Sequence, residues 1–214
     1  MNLHQYDISK FEFKKIITNL FDCGPLELLH ERYNHGSQFT MLDNSNTIFH
    51  QMFYKNIREE NDFMSVYDLF LNEFVTSIVG EKFIYQASPT LRVHLVGNMA
   101  TPEFHVDTQD GYYHPAGEMN FILPLTQCYD TNSVWVESEP NKGDYSPIKM
   151  KYGNLFQFAG GKLHHGNKMN QTPLTRVSFD FRVLPLSKYD KNYPKSSATR
   201  GTKFIVGEYY KELR

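Results

Sequence analysis

Thr175-Arg176-Val177-Ser178-Phe179-Asp180-Phe181-Arg182-Val183 alternates apolar and polar residues without a break after Thr175. Successive side chains of an extended chain point to opposite faces, so Val177, Phe179, Phe181 and Val183 share one face and Arg176, Ser178, Asp180 and Arg182 the other. The segment reads as a strand with an apolar face for a core and four polar side chains stacked on a single surface. Two environments fit that surface. It meets solvent, as one face of an antiparallel sheet commonly does, or it lines the inside of a roll as a ligand cavity.

The same period recurs upstream. Leu91, Val93 and Leu95 alternate with Thr90, Arg92 and His94, then Met119, Phe121 and Leu123 with Glu118, Asn120 and Ile122, and Val134 and Val136 with Ser133, Trp135 and Glu137. Asn154 to Phe158 continues the series, and turn-forming clusters such as Glu139-Pro140-Asn141-Lys142-Gly143-Asp144 separate the runs. The N-terminal part has a helical period instead. Phe13, Ile16, Ile17, Leu20 and Phe21 follow a Ser9/Glu12 pair spaced as a capping box and stop at Cys23-Gly24-Pro25. A broader stripe begins near Asn61-Asp62, carries Phe63, Val66, Tyr67, Phe70, Leu71, Phe74, Val75 and Ile78, and ends at Gly80. Residues 34–50 show no period and read as an irregular surface stretch. Helices first and short strands afterwards predict a mainly β fold, a sandwich or jelly roll preceded by N-terminal α-helices. The expected division is one domain over 1–214, with a mostly helical part at 1–87, a jelly-roll core at 88–186 and a C-terminal extension at 187–214.

A chain of 214 residues fits one domain of ordinary size. Lys and Arg number 22 against 24 Asp and Glu, so no basic excess exists to hold nucleic acid or an anionic membrane, and neither is expected as a partner. No apolar run approaches the roughly 20 residues that span a bilayer. Met1 to Ser9 lacks the charged-then-apolar pattern of a secretion signal, which predicts a cytoplasmic protein. Cys23 and Cys128 are too few for a disulfide framework and read as reduced, buried thiols. The tail from Ser187 carries seven Lys/Arg against three acids and reads as a solvated surface, with Phe204-Ile205-Val206 as a short strand tying the end of the chain to the fold.

Nine histidines are present, and a few are spaced for joint work. His105 and Asp107, one residue apart, project to the same side of a strand and can grip one ion. A third ligand is available from His164 or His165, far enough along the chain to return on another strand. Two imidazoles and one carboxylate form the facial triad of non-haem Fe(II) oxygenases, which leaves adjacent coordination positions free. Arg176 follows His165 by eleven positions and shares its face with Ser178, so a guanidinium and a hydroxyl are paired as a carboxylate-binding set. These histidines favour the cavity environment for the polar face of the last strand.

His105-Val106-Asp107, then His165, then Arg176-Val177-Ser178 resembles the His-x-Asp … His … Arg-x-Ser pattern of the Fe(II)/2-oxoglutarate-dependent dioxygenases. The stretch from Thr90 to Pro185, with Glu118-Met119-Asn120-Phe121, Trp135-Val136-Glu137-Ser138 and His165-Gly166-Asn167, is similar to the branch associated with streptomycin biosynthesis. The resemblance implies a double-stranded β-helix core of the cupin-like kind, Fe(II) held by His105, Asp107 and His165, and 2-oxoglutarate bound at its far carboxylate by Arg176 and Ser178. It selects His165 over His164, because the ligand stands immediately before Gly-Asn. It further implies use of O₂ to hydroxylate a small-molecule substrate with release of succinate and CO₂. Halogenases of this type replace the carboxylate ligand by a halide, which Asp107 argues against.

On the same polar faces, Asn120 is expected to hydrogen-bond a metal-bound carboxylate, and Arg92, His94, Glu118, Trp135 and Glu137 are candidate substrate contacts. Tyr112, Tyr113 and His114, close after the tripeptide, are candidates at the cavity mouth, Tyr113 foremost. The rival function is a metal-dependent, cupin-like isomerase or epimerase without O₂ chemistry, with His105, His94 and Tyr113 as base and acid. A binding module with a vestigial site is a third.

Overall fold

The computed structural model describes residues 1–32, 47–59, 62–99, 103–197 and 201–213. Its scaffold is an antiparallel sheet of seven strands, β1 (Asn2–Gln5), β2 (Phe83–Gln86), β3 (Thr90–His94), β4 (Met119–Pro124), β7 (Asn154–Phe158), β9 (Arg176–Pro185) and β10 (Tyr210–Glu212). A smaller sheet is made of β5 (Val134–Val136), β6 (Ser146–Pro147) and β8 (His165–Asn167).

Strand β9 is the axis of the large sheet. One edge pairs with β4, while the other pairs with β3 along its first half and with β2 along its second. Its apolar face packs under the helices. Phe179 makes edge-on contacts with Phe13, Phe63 and Tyr67, and Phe181 stacks on Phe121 of β4 at 5.2 Å. All of these rings are buried, and pairs of this kind contribute beyond their area alone. The polar face of β9 turns inward, toward the small sheet. There it shares the interior with Ile122, Phe156 and Phe158, which pack with Val136, Met150 and Leu163. The interior is thus apolar beside β7 and polar beside β3 and β9. The solvent-facing alternative for β9 is ruled out, since Arg176 and Ser178 are buried.

Helix α1 (Phe13–Phe21) buries Phe13, Ile17 and Phe21, as the helical period predicts. Its start differs from the expected capping box. The Ser9 backbone N–H and hydroxyl both donate to Asp7 Oδ1, at 2.9 and 2.6 Å, and Glu12 pairs with Lys15, so the helix begins only at Phe13. Helix α2 (Ile48–Glu59) was not expected, although Phe49, Met52, Phe53 and Ile57 recur at helical steps and pack on the core. Of the irregular stretch assigned to 34–50, residues 34–46 lie outside the described residues and 48–50 are helical, as does Asn61 lie outside at the expected start of the next helix. Helix α3 (Asp62–Phe70) continues through a π-helical turn, Leu71–Val75, and a last turn, Thr76–Val79, before Gly80 ends it at φ 75°. Leu71 and Val75, four residues apart, are both buried in this turn.

Both ends of the chain close a sheet edge. β1 pairs with β7 and β10 with β2, so the mostly helical N-terminal part also contributes β1 and β2 to the sheet. The closing C-terminal strand is Tyr210–Glu212 rather than Phe204-Ile205-Val206, and Phe204 instead packs with Ile84, Leu184 and Tyr210 in a separate aromatic cluster. Cys128 is buried as expected, but Cys23 is partly exposed. Among the described residues no helix is long and apolar enough to cross a membrane.

Phe179→Ala removes the ring shared by α1, α3 and β9 and should cost about 3–5 kcal/mol of unfolding free energy in urea titrations. A cost below about 1 kcal/mol would contradict this packing.

Candidate metal and carboxylate site

The three proposed ligands meet where the small sheet faces β4 and β9. His105 and His165 form an antiparallel bridge, each backbone N–H donating to the other's carbonyl at 3.0 Å. Asp107 follows in a turn rather than on a strand, as expected from neither periodicity nor resemblance. Its N–H donates to Gly160 O and its carbonyl accepts from His114 N, both at 2.9 Å. His105, Asp107 and His165 each offer a ligand atom within 4.8 Å of the others. Asp107 Oδ1 lies 3.5 Å from His105 Nε2 and 3.6 Å from His165 Nε2.

The surroundings prepare these atoms for a cation. His105 Nδ1 lies 3.0 Å from Glu103 O and His165 Nδ1 2.9 Å from Leu163 O; a carbonyl only accepts, so each ring carries its proton on Nδ1 and turns the lone pair of Nε2 inward. Burial, helped by His105, pushes His165 down to about 4 despite Asp107, which keeps the imidazole neutral at ordinary pH. Burial opposes the charge on Asp107, yet Arg182 beside it holds the carboxyl well below the usual range. Asp107 Oδ1 is buried and has no hydrogen-bond partner among the described residues. Two lone pairs and an orphaned carboxylate oxygen turned on one point suit a divalent ion, so the donor set fits Fe(II).

The second oxygen, Oδ2, is held by three N–H groups: Asn120 Nδ2 at 2.6 Å and Arg182 Nε and Nη2 at 3.0 and 2.9 Å. Asn120 is thus on Asp107. Its own Oδ1 accepts the Gly160 N–H at 3.1 Å, and a Cβ on Gly160 would come within 2.5 Å of the Asn120 side chain. Only glycine fits there.

Arg176 lies further along the same face of β9. It is buried, and its Nε and Nη1 have no hydrogen-bond partner among the described residues; neither has the Ser178 hydroxyl two residues on. Burial pushes the Arg176 guanidinium down to about 10, so it remains a cation at neutral pH. A sealed cation and hydroxyl without partners are costly unless an anion joins them. They fit the far carboxylate of 2-oxoglutarate.

The remaining candidates are placed as follows. Arg92 lies on the cavity face, opposite Ser178 in the β3–β9 register, and pairs with Asp180 at 2.7 Å. His94 is buried with Nε2 2.8 Å from Asn98 O and Nδ1 3.3 Å from Asn132 O, and burial beside Arg176 pushes it down to about 3. Its ring ties two loops together and is not free to move a proton. Glu118 is buried against His114, Tyr210 and Arg182, which removes it from substrate contact. Trp135 is on the β5 face opposite Val136, with Lys168 3.4 Å from its ring centre and its Nε1 donating to Asp130 O, so it points away from the interior. Glu137 holds a turn. It accepts the N–H groups of Asn141, Gly143 and His164 and pairs with the His164 ring, so the role of His164 is to fix Glu137. Tyr113, at φ 60°, lies under Lys195 and accepts a hydrogen bond from the Tyr193 hydroxyl at its carbonyl, whereas the neighbouring Tyr112 stacks on His105 at 4.0 Å and 6°. Arg182 escaped the candidate list. Its place on the polar face of Arg176 was the signal in the sequence, and the β4–β9 register sets it opposite Asn120.

The ordered motif sits on a jelly-roll scaffold, the arrangement that the resemblance to the Fe(II)/2-oxoglutarate-dependent oxygenases implies. No family model matches the chain. The streptomycin biosynthesis protein StrG of Streptomyces griseus is 31% identical over 207 residues, which is 96% of this chain and 95% of that protein. The chain belongs to the family of StrG. Among solved structures, EctD from S. alaskensis in its apoform has a TM-score of 0.52 at 12% identity, covering 90% of this chain and 75% of that one, a likeness of fold. The non-heme alpha ketoglutarate dependent epimerase SnoN from nogalamycin biosynthesis has a TM-score of 0.49 at 11% identity over 74% of this chain and 75% of that one.

Glu137 supplies a test of the turn beneath the site. Burial alone would raise its pKa, but the N–H groups of His164 and Gly143 outweigh that and push it from 4.5 down to about 2. A lowered carboxyl stabilises the fold above its unfolded pKa and loses that contribution as pH falls toward its folded value. The thermal midpoint of Glu137→Gln should lie below the wild type's at pH 7, and the gap should narrow between pH 4.5 and 2. A gap independent of pH would contradict the assignment.

Proposed function

We propose that the protein is an Fe(II)- and 2-oxoglutarate-dependent oxygenase that hydroxylates an unactivated C–H bond of a small polar metabolite. Iron is held by His105 Nε2, Asp107 Oδ1 and His165 Nε2, and the far carboxylate of 2-oxoglutarate by Arg176 and Ser178. When bound, iron and co-substrate supply the oxidant, with O₂ reduced as 2-oxoglutarate is decarboxylated to succinate and CO₂. The chain's own part is to orient and exclude. Arg176 fixes the direction in which the diacid enters, because its Nε and Nη1 have no hydrogen-bond partner among the described residues. Glu103 and Leu163 keep both imidazoles in the ligating tautomer. Tyr112, flat against His105, covers one side of the ligand set and limits access of water.

The observation that carries this reading is the set of buried polar atoms without partners among the described residues, Asp107 Oδ1, Arg176 Nε and Nη1, and Ser178 Oγ, with Asp107 tied by Arg182 to the strand that carries the other two. The isomerase alternative loses support, since His94 and Tyr113 are engaged with backbone carbonyls and Lys195. A hydrophilic substrate is supported by the partly exposed Arg92–Asp180 pair and by the name of StrG, a streptomycin biosynthesis protein.

Fe(II) with 2-oxoglutarate under anaerobic conditions should give a visible metal-to-ligand charge-transfer band that Asp107→Ala lacks. Arg176→Ala should bind 2-oxoglutarate at least tenfold more weakly while iron affinity stays nearly unchanged. A screen of amino acids, sugars and peptides for succinate release under air should find a substrate that raises turnover. Absence of the band, with activity undiminished after iron removal, would overturn the proposal.

A further inference from the structure

Asp107 presents its two oxygens to entirely different partners, and that asymmetry is built by side chains outside the triad. Oδ2 receives three donors, at 2.6, 2.9 and 3.0 Å, while Oδ1 receives none among the described residues. A carboxylate free to rotate can grip a divalent ion through both oxygens. Such a grip would take up one of the coordination positions that a facial triad leaves open.

We propose that Arg182, with Asn120, is a positioning residue that restricts Asp107 to coordination through one oxygen and so keeps open the position that the co-substrate needs. This rests on the functional reading above. The restraint is stiff for three reasons. Arg182 delivers Nε and Nη2 together, and a planar fork on one oxygen cannot follow a rotating carboxylate without losing both bonds. The Asn120 amide cannot turn over, because its Oδ1 is fixed by the Gly160 N–H, which leaves Nδ2 as the end that faces Asp107. Arg182 is itself held from behind. Glu118 Oε2 lies 3.6 Å from its Nε and Asp180 Oδ2 3.9 Å from its Nη1, while the Tyr209 side chain is hydrogen-bonded to it. Glu118 is anchored in turn by the Tyr210 hydroxyl and by His114 Nδ1 at 2.8 Å. The C-terminal segment around Tyr209 and Tyr210 is therefore the far end of the restraint on a metal ligand. A solvated tail would not have this role.

Two variants test the restraint, with Co(II) alone as the metal probe and 2-oxoglutarate added second. Asn120→Ala removes the shortest contact without stranding a charge. Arg182→Met keeps the length of the side chain and removes the fork. In both, Co(II) affinity should stay within about threefold of the wild type, the visible Co(II) spectrum should change as Asp107 closes onto the ion with both oxygens, and 2-oxoglutarate should bind at least tenfold more weakly. Arg182→Lys, which restores a charge and a single donor, should recover part of the 2-oxoglutarate affinity. An unchanged spectrum and co-substrate affinity in Asn120→Ala would overturn the proposal. So would parallel loss of Co(II) and 2-oxoglutarate binding in a folded Asn120→Ala, which is what a purely structural role predicts. Failure of the wild type to bind Co(II) and 2-oxoglutarate would remove the functional reading as well, whereas wild-type binding with unaltered variants would remove this inference alone.

Discussion

Strand β9 has to satisfy two incompatible surroundings at once, an aromatic core on one face and a row of polar, largely buried side chains on the other. The rings of Phe179 and Phe181 hold the strand against the helices, while Arg176, Ser178, Asp180 and Arg182 are forced inward between two sheets. Asp180 and Arg182 find carboxylate or guanidinium partners inside the protein. Arg176 and Ser178 do not find hydrogen-bond partners among the described residues. A buried cation left in that state destabilises the fold until an anion arrives, which is the sense in which the scaffold is organised around a ligand.

The metal ligands depend on the same strand. Arg182 sits six residues beyond Arg176 on the same face and secures the carboxylate of Asp107, so one strand serves both ends of the cavity. The histidines are secured separately, by a mutual backbone bridge and by carbonyl groups that fix their tautomers. None of the three ligands is free to turn away, and this preorganisation lowers what ion binding would otherwise cost in side-chain ordering.

The period of two through β3, β4, β5, β7 and β9 was legible because each strand buries one uniform apolar face, and the long stripe from Phe63 to Ile78 was legible for the same reason in helical form. Shorter elements were not. Strand β1 is four residues with no apolar alternation, and the helical stripe of α2, Phe49, Met52, Phe53 and Ile57, is short and interrupted by polar residues. The order of His105, Asp107, His165 and Arg176 was readable because each residue type is needed for one kind of bond. Substrate candidates were harder: alternation gives the face of a side chain but not its partner. Trp135 and Glu137 share a face, yet one lies outside under Lys168 and the other serves a turn whose N–H groups no sequence pattern reveals. Arg182 belonged to the same stacked polar face as Arg176, and only the fold distinguished a guanidinium paired with Asp107 from one without a partner.

The most direct test is a crystal structure of the wild type grown without oxygen in the presence of Fe(II) and 2-oxoglutarate. The account predicts iron bonded to His105 Nε2, a single oxygen of Asp107 and His165 Nε2, with the far carboxylate of the diacid in hydrogen-bond contact with Arg176 and Ser178. Iron bound elsewhere, or a diacid whose far end leaves Arg176 unpaired, would contradict it.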